Sequence, residues 1–261
     1  MLNRLLLNSG NDIPFEEANL IIHPPTIKEI GLIGEQSLWH GVEFLNFSKD
    51  FLEKKDTVKD LTSISDFEIL MSIIHSGDVN MDIHLTQMEL VLALLFPVYK
   101  INMTPQSIIF IEEIDGNKEC HLIDKENFGL FKKYIRAIFC LDQLKGSKGE
   151  VDYNPSGAVS AALAEKFKAR RKTLAEINKK NGKGSGLDIL DTYVSILSVG
   201  LKKDKNILMQ YTPYQLFDEF ERYNLKIAFD LNMQARMAGA TKLKDAENWM
   251  KEIHTESDDN T

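Results

Sequence analysis

Few residues of this chain have the types and spacing that chemistry requires. Gly182-Lys183-Gly184-Ser185-Gly186 invites comparison with a phosphate-binding loop. Such a loop needs G-x-x-x-x-G-K-[ST] after a buried strand and before a helix, so that backbone N–H groups cradle the phosphates. Here a polar stretch precedes the glycines and a second glycine separates the lysine from the serine, so the run reads as a flexible joint. The histidines are His23, His40, His75, His84, His121 and His254. None pairs as H-x-x-x-H or H-E-x-x-H, the spacings that bring two imidazoles to one metal on a helix face. His75 and His84 flank Ser76–Asp82 with its Asp78 and Asp82, and this segment reads as a solvated loop. No G-x-S-x-G elbow exists, and Glu112-Glu113 reads as a solvated strand end. Cys120 and Cys140 show no C-x-x-C spacing and sit in apolar patterns, which predicts reduced thiols in or near the core. The expectation is a protein with no catalytic residues, no cofactor and no metal.

The remaining candidates are surfaces rather than reactive centres. Between Glu165 and Lys183 eight Lys and Arg stand against two Glu, in a chain whose net charge is −8. Lys166, Lys168, Arg170, Arg171 and Lys172 form its dense part. The bland alternative is a solvated face that balances acidic neighbours such as Asp218, Glu219 and Glu221. The functional one is a docking surface for an acidic partner helix. Nucleic acid is a weaker partner. A single aromatic residue, Phe167, stands among the cations, too few for single-strand stacking, no nucleic-acid-binding signature accompanies them, and the overall charge repels a polyanion. A second candidate is the stretch Tyr214–Met237, whose apolar residues cover more than one helical face. Core packing explains most of them. Met233 and Met237 at its end could line an adaptable groove for partner helices, because the thioether side chain is unbranched and polarisable.

The elements that position these residues follow from composition and pattern. An apolar share of 43% with 27% charged residues is that of a globular protein with one large or two small domains. Met1–Leu7 is too short an apolar run for a signal peptide and no small-residue cleavage site follows. The longest apolar run, Leu90–Phe96, falls short of the roughly 20 residues that span a bilayer. A reducing cytoplasm is therefore expected, with no membrane partner. Pro24-Pro25-Thr26 opens a helix reaching Leu45, either weakened or split by Gly31, Gly34 and Gly41. Ser65-Asp66-Phe67-Glu68 is a capping box for a helix over Phe67–His75. Thr86-Gln87-Met88-Glu89 starts an apolar helix that Pro97 ends. Asp115-Gly116 between Ser107–Ile114 and Glu119–Ile123 predicts a β-hairpin, and a helix runs from Asp124 to near Leu144. Beyond the glycines of 146–157 come helices over about Pro155–Asn178 and Leu187–Leu197. A third begins at the capping box Thr212-Pro213-Tyr214-Gln215 and runs to Met237. The predicted fold is mainly α. An N-terminal domain (1–145) carries one β-hairpin at about 107–123, an all-helical domain spans 154–254, and 255–261 is a disordered acidic tail.

Three segments carry a family resemblance: His23-Pro24-Pro25-Thr26-Ile27-Lys28-Glu29-Ile30-Gly31-Leu32-Ile33-Gly34, Tyr211-Thr212-Pro213-Tyr214-Gln215-Leu216-Phe217-Asp218-Glu219-Phe220-Glu221-Arg222, and Lys244–Trp249. They resemble the tail assembly chaperones of long-tailed phages and prophages of Gram-positive bacteria. The resemblance implies a non-catalytic protein that coats the helical tape measure protein, keeps it soluble and recruits tail tube protein around it. It also implies residence in the bacterial host's cytoplasm and absence from the mature virion. The charge contrast along the chain further permits self-association, in which a basic patch of one copy meets an acidic patch of the next. A structural subunit of the tail or connector is the alternative, with a nucleic-acid-binding protein behind it.

Overall fold

The structure is a computed structural model that describes residues 3–49, 64–76, 79–114, 116–142, 188–239, 245 and 248–250. Among these residues the chain is mainly α-helical, with two small antiparallel sheets. It divides into two compact units. The first holds Met1–Leu141 and Asp204–Leu216, and the second holds Asp142–Lys203 and Phe217–Thr261.

The first unit opens with α1 (Arg4–Ser9), capped by the Asn3 side chain and ended by Gly10 at φ 69°. Strands β1 (Ile13–Phe15) and β2 (Leu20–Ile22) flank a 3-10 turn at Glu16–Ala18 and pair antiparallel. Their alternation buries Ile13, Phe15, Leu20 and Ile22, as a half-buried strand requires. The helix expected over 26–45 is two helices, α2 (Ile27–Ile33) and α3 (Glu35–Leu45). Gly34 at φ 84° makes the break in a conformation that favours glycine. A capping box joins Thr26 and Glu29 at the start of α2. The free N–H groups of Ile27 and Lys28 bond at 2.8 Å to the carbonyls of Tyr211 and Met209, so a distant segment supplies acceptors that the helix lacks.

The expected Ser65–Glu68 capping box forms at the start of α4 (Asp66–Ile74). Helix α5 covers Val79–Leu95, so it begins seven residues before the expected Thr86. The chain holds neither Gly nor Pro between Val79 and Phe96, and nothing stops the helix from extending backward. His84 is therefore a helical residue rather than part of a loop, and its ring stacks on Phe44 of α3 at 4.9 Å. Helices α3 and α5 meet closely at Gly41, where a Cβ would lie 2.4 Å from the Gln87 carbonyl oxygen.

Strands β3 (Lys100–Thr104), β4 (Ser107–Ile114) and β5 (Asn117–Ile123) make a three-stranded sheet in sequence order. The expected hairpin is β4–β5. Its register of Ile114 opposite Asn117 leaves a two-residue turn in which Gly116 has φ 82°. The expectation of a single hairpin is corrected by β3 and by the β1–β2 pair. Strand β3 is half polar and five residues long, and β1 and β2 have three residues each, so none has a periodic signal of useful length. Helix α6 (Phe128–Ile138) follows a turn in which Asp124 Oδ1 accepts from the N–H groups of Glu126 and Asn127. The core converges on Phe131, whose ring lies 6.0 to 6.4 Å from Phe15, Phe96 and Phe128. Cys140 is buried but Cys120 is exposed. This corrects the core assignment of Cys120, which shares its strand face with Leu122 on the outer side of the sheet.

The second unit contains α7 (Ile189–Leu201). The short α8 (Lys205–Leu208) belongs to the first unit. Helix α9 (Pro213–Met237) starts in the first unit and continues in the second from Phe217. The expected box at its start is present, with Thr212 N–H donating to Gln215 Oε1 at 2.8 Å and Gln215 N–H to Thr212 Oγ1 at 3.4 Å. The basic stretch, the glycine joint and the acidic tail lie outside the described residues. Among the described residues, no helix is long and apolar enough to cross a membrane.

Candidate partner-binding site

Helix α9 presents its residues in two distinct stripes. Successive helical residues turn by about 100°, so Phe217, Phe220, Tyr223, Ile227 and Leu231 fall along one side. The upper part of that side is covered within the second unit. Tyr193 of α7 stacks on Phe220 with ring centroids 3.6 Å apart and meets Phe217 edge-on at 5.2 Å. Burial, with the negative charge of Glu221 adding to it, raises the Tyr193 phenol above its ordinary pKa. Gly200 leaves room for the Tyr223 ring, since a Cβ there would sit 2.1 Å from the phenol oxygen. Lys203 and Glu219 pair at 3.1 Å beside this contact.

The same stripe continues uncovered. Ile227 is 38% exposed and Leu231 59%. Met233 and Met237, one turn apart, lie on the opposite side of the helix and are 42% and 86% exposed. Polar bonds hold the backbone of this end in helical form around them. Lys226 pairs with Asp230 at 2.5 Å, Arg236 Nε donates to Asn232 Oδ1 at 2.8 Å, and Arg236 also pairs with Asp245. Arg222 donates to the carbonyl of Trp249 at 3.3 Å. The result is a helix end whose charged side chains are paired while four large apolar side chains face solvent. The Met233–Met237 side suits the capture of another helix by packing, with methionine adapting to its shape.

Of the residues singled out in the sequence, Met233 and Met237 are brought together here as a single exposed pair. Lys166, Lys168, Arg170, Arg171 and Lys172 lie outside the described residues. Ile227 and Leu231 were not singled out as a surface, although their spacing from Phe220 carries the signal. The described residues hold no group of three or more His, Cys, Asp or Glu placed to bind a metal ion. Helix α7, helix α8, helix α9 and both methionines fall within residues 179–254, which match the family model described as YomV second domain. That family is phage-associated, and the match points to a phage protein. No curated protein and no solved structure matches the chain.

Proposed function

We propose that this chain is a non-catalytic tail assembly chaperone of a long-tailed phage. It binds the tape measure protein and helps recruit tail tube protein around it. The exposed apolar end of α9, inside the segment similar to a phage-associated domain, carries this reading. A long helical protein with apolar stripes aggregates unless those stripes are masked, and a helix end with exposed Ile, Leu and Met suits that task. The lysines and arginines from Lys166 to Lys172 would add attraction to acidic positions on the same partner helix, a weaker and salt-sensitive contribution.

The test is binding of the full-length chain to tape measure fragments, with Met233→Glu/Met237→Glu as the variant. Both side chains are exposed, so the variant should keep the helical circular dichroism of the parent. Burying two methionines contributes a few kcal/mol, so the variant should bind at least about tenfold more weakly. Equal binding by the variant, or none by the parent, refutes the proposal. Mass spectrometry of purified phage particles separates the chaperone from the alternative. A chaperone is absent from particles, whereas a structural tail or connector subunit is present in many copies.

A further inference from the structure

The two sheets of the first unit have four outer strand edges, and an edge with unpaired N–H and C=O groups is a template for a further strand. Both edges of the β1–β2 pair are closed. Pro14, at the centre of the three-residue β1, has no N–H to offer a neighbour. On β2 the Ile21 backbone bonds to the Tyr99 phenol, and the N–H of His23 just beyond the strand donates to the Leu95 carbonyl at 2.8 Å. In the three-stranded sheet, the 3-10 turn at Glu16–Ala18 lies against β5. Strand β3 (Lys100–Thr104) is the other outer strand. Among the described residues, no backbone group of Ile101, Asn102 or Met103 bonds to anything outside the sheet. The nearest proline, Pro105, falls in the turn to β4 and leaves the strand unblocked.

The residues of this open edge are complementary to themselves. Lys100-Ile101-Asn102-Met103-Thr104, laid antiparallel to a second copy, sets Asn102 opposite Asn102, Ile101 opposite Met103 and Lys100 opposite Thr104. Backbone groups of alternate residues point to the same side of a strand, and each of these pairs joins residues an even number apart. Outward-pointing groups therefore meet outward-pointing groups across the whole strand. The side chains match as well. Ile101 and Met103 are half-buried and share a sheet face with their buried β4 neighbours Phe110 and Ile108, so the pairing continues the apolar face from one copy to the next. Asn102 is exposed on the other face, where opposed amides can bond to each other. No charge meets a like charge, because Lys100 stands opposite a threonine and pairs with Glu113 of its own chain at 3.4 Å. A register shifted by two residues leaves two residues of each strand without a partner.

We propose that β3 pairs with β3 of a second copy about a two-fold axis at Asn102, joining two three-stranded sheets into one of six strands. The same patch serves both copies, so the contact closes at a dimer and does not propagate. It uses no residue of α9. It therefore does not depend on the tape measure reading and can be tested without that partner.

A residue on a two-fold axis faces its own copy, and the experiment uses that property. In sedimentation velocity over a concentration series, the full-length chain should form a dimer and nothing larger. Asn102→Lys and Asn102→Asp each set like charges opposite one another, and each should dimerise about tenfold more weakly or less. Mixed in equal amounts, the two should recover the dimer of the parent, because lysine then faces aspartate. The Asn102 side chain is exposed, so both variants should keep the circular dichroism of the parent. Disulfide trapping fixes the register. With the exposed thiol removed by Cys120→Ser, Asn102→Cys should give a covalent dimer on mild oxidation, since opposed Cβ atoms stand about 4.5–5.5 Å apart. Lys100→Cys in the same background should not, because its copy lies four residues away along the strand, about 13 Å. A parent chain that stays monomeric, a mixture that forms no dimer, a lysine variant that dimerises like the parent, or trapping at position 100 as readily as at 102 overturns the proposal.

Discussion

Replacing Asp66 by Asn should loosen the first unit in a pH-dependent way. Asp66 is the first residue of α4, and its carboxylate joins three parts of that unit. It pairs with the ammonium group of Lys132 on α6 and accepts the N–H of Lys49 at 3.0 Å. Lys132 in turn donates to the Phe47 carbonyl at 3.0 Å and sits 5.5 Å from the Phe128 ring centroid. The two side chains are only 16% and 23% exposed. Asparagine keeps the shape and removes the charge, leaving Lys132 with a carbonyl and a ring. Breaking one partner of a fully buried pair costs about 3–5 kcal/mol. Partial water access lowers that here to about 2 kcal/mol, a factor of roughly 30 in the folding equilibrium.

The pH dependence has a definite sign. Burial alone would raise the Asp66 pKa, but the hydrogen bonds from Lys132 and Lys49 and their positive charges outweigh it, and the carboxyl lies below its ordinary value of 3.8. A group depressed in the folded state stabilises above its unfolded pKa, and that contribution is lost as pH falls through the folded pKa. The difference between parent and Asp66→Asn should therefore be full at pH 7 and shrink below about pH 4. Urea unfolding followed by Trp39 fluorescence, in a Trp249→Phe background, reports the first unit because Trp39 is 8% exposed within its core. Adding Lys132→Met to Asp66→Asn should recover part of the loss by removing the uncompensated ammonium group. A difference under about 0.5 kcal/mol at pH 7, within the scatter of surface substitutions, refutes the reasoning, as does one that is unchanged in acid.

Three further outcomes are expected. Gly41→Ala places a Cβ 2.4 Å from the Gln87 carbonyl oxygen, and the backbone cannot step aside as a side chain can. It should destabilise the first unit by about 3 kcal/mol, whereas Gly31→Ala, with nothing within 4 Å of the new atom, should stabilise it by about 0.5–1 kcal/mol; denaturant midpoints compare the two. A thiol reagent should modify Cys120 quickly and Cys140 only on unfolding, given their exposure and burial, and mass spectrometry counts the adducts. Thr212→Ala removes the hydroxyl that caps α9 and should lower thermal stability by about 1 kcal/mol, which calorimetry measures.

Local signals were the most legible part of the fold. The Ser65–Glu68 and Thr212–Gln215 boxes are read directly from four-residue spacings, because capping is a contact between near neighbours. The Asp-Gly pair located the β4–β5 turn for the same reason. The Thr26–Glu29 box has an equally clear spacing, overshadowed by the two prolines before it. What lacked a signal depends on distant backbone. The carbonyls of Met209 and Tyr211 cap α2 without any side-chain signature, so nothing in their residue types shows that Asp204–Leu216 returns to the first unit. Strands β1, β2 and β3 are too short for a period of two to stand out.

The candidate surfaces follow the same division. Periodicity placed Met233 and Met237 on one stripe of a long helix, but spacing cannot say which stripe a neighbour covers. That depends on Tyr193 and Gly200, which lie more than a dozen residues earlier in the chain and cover the Phe220–Tyr223 side but leave Ile227 and Leu231 open.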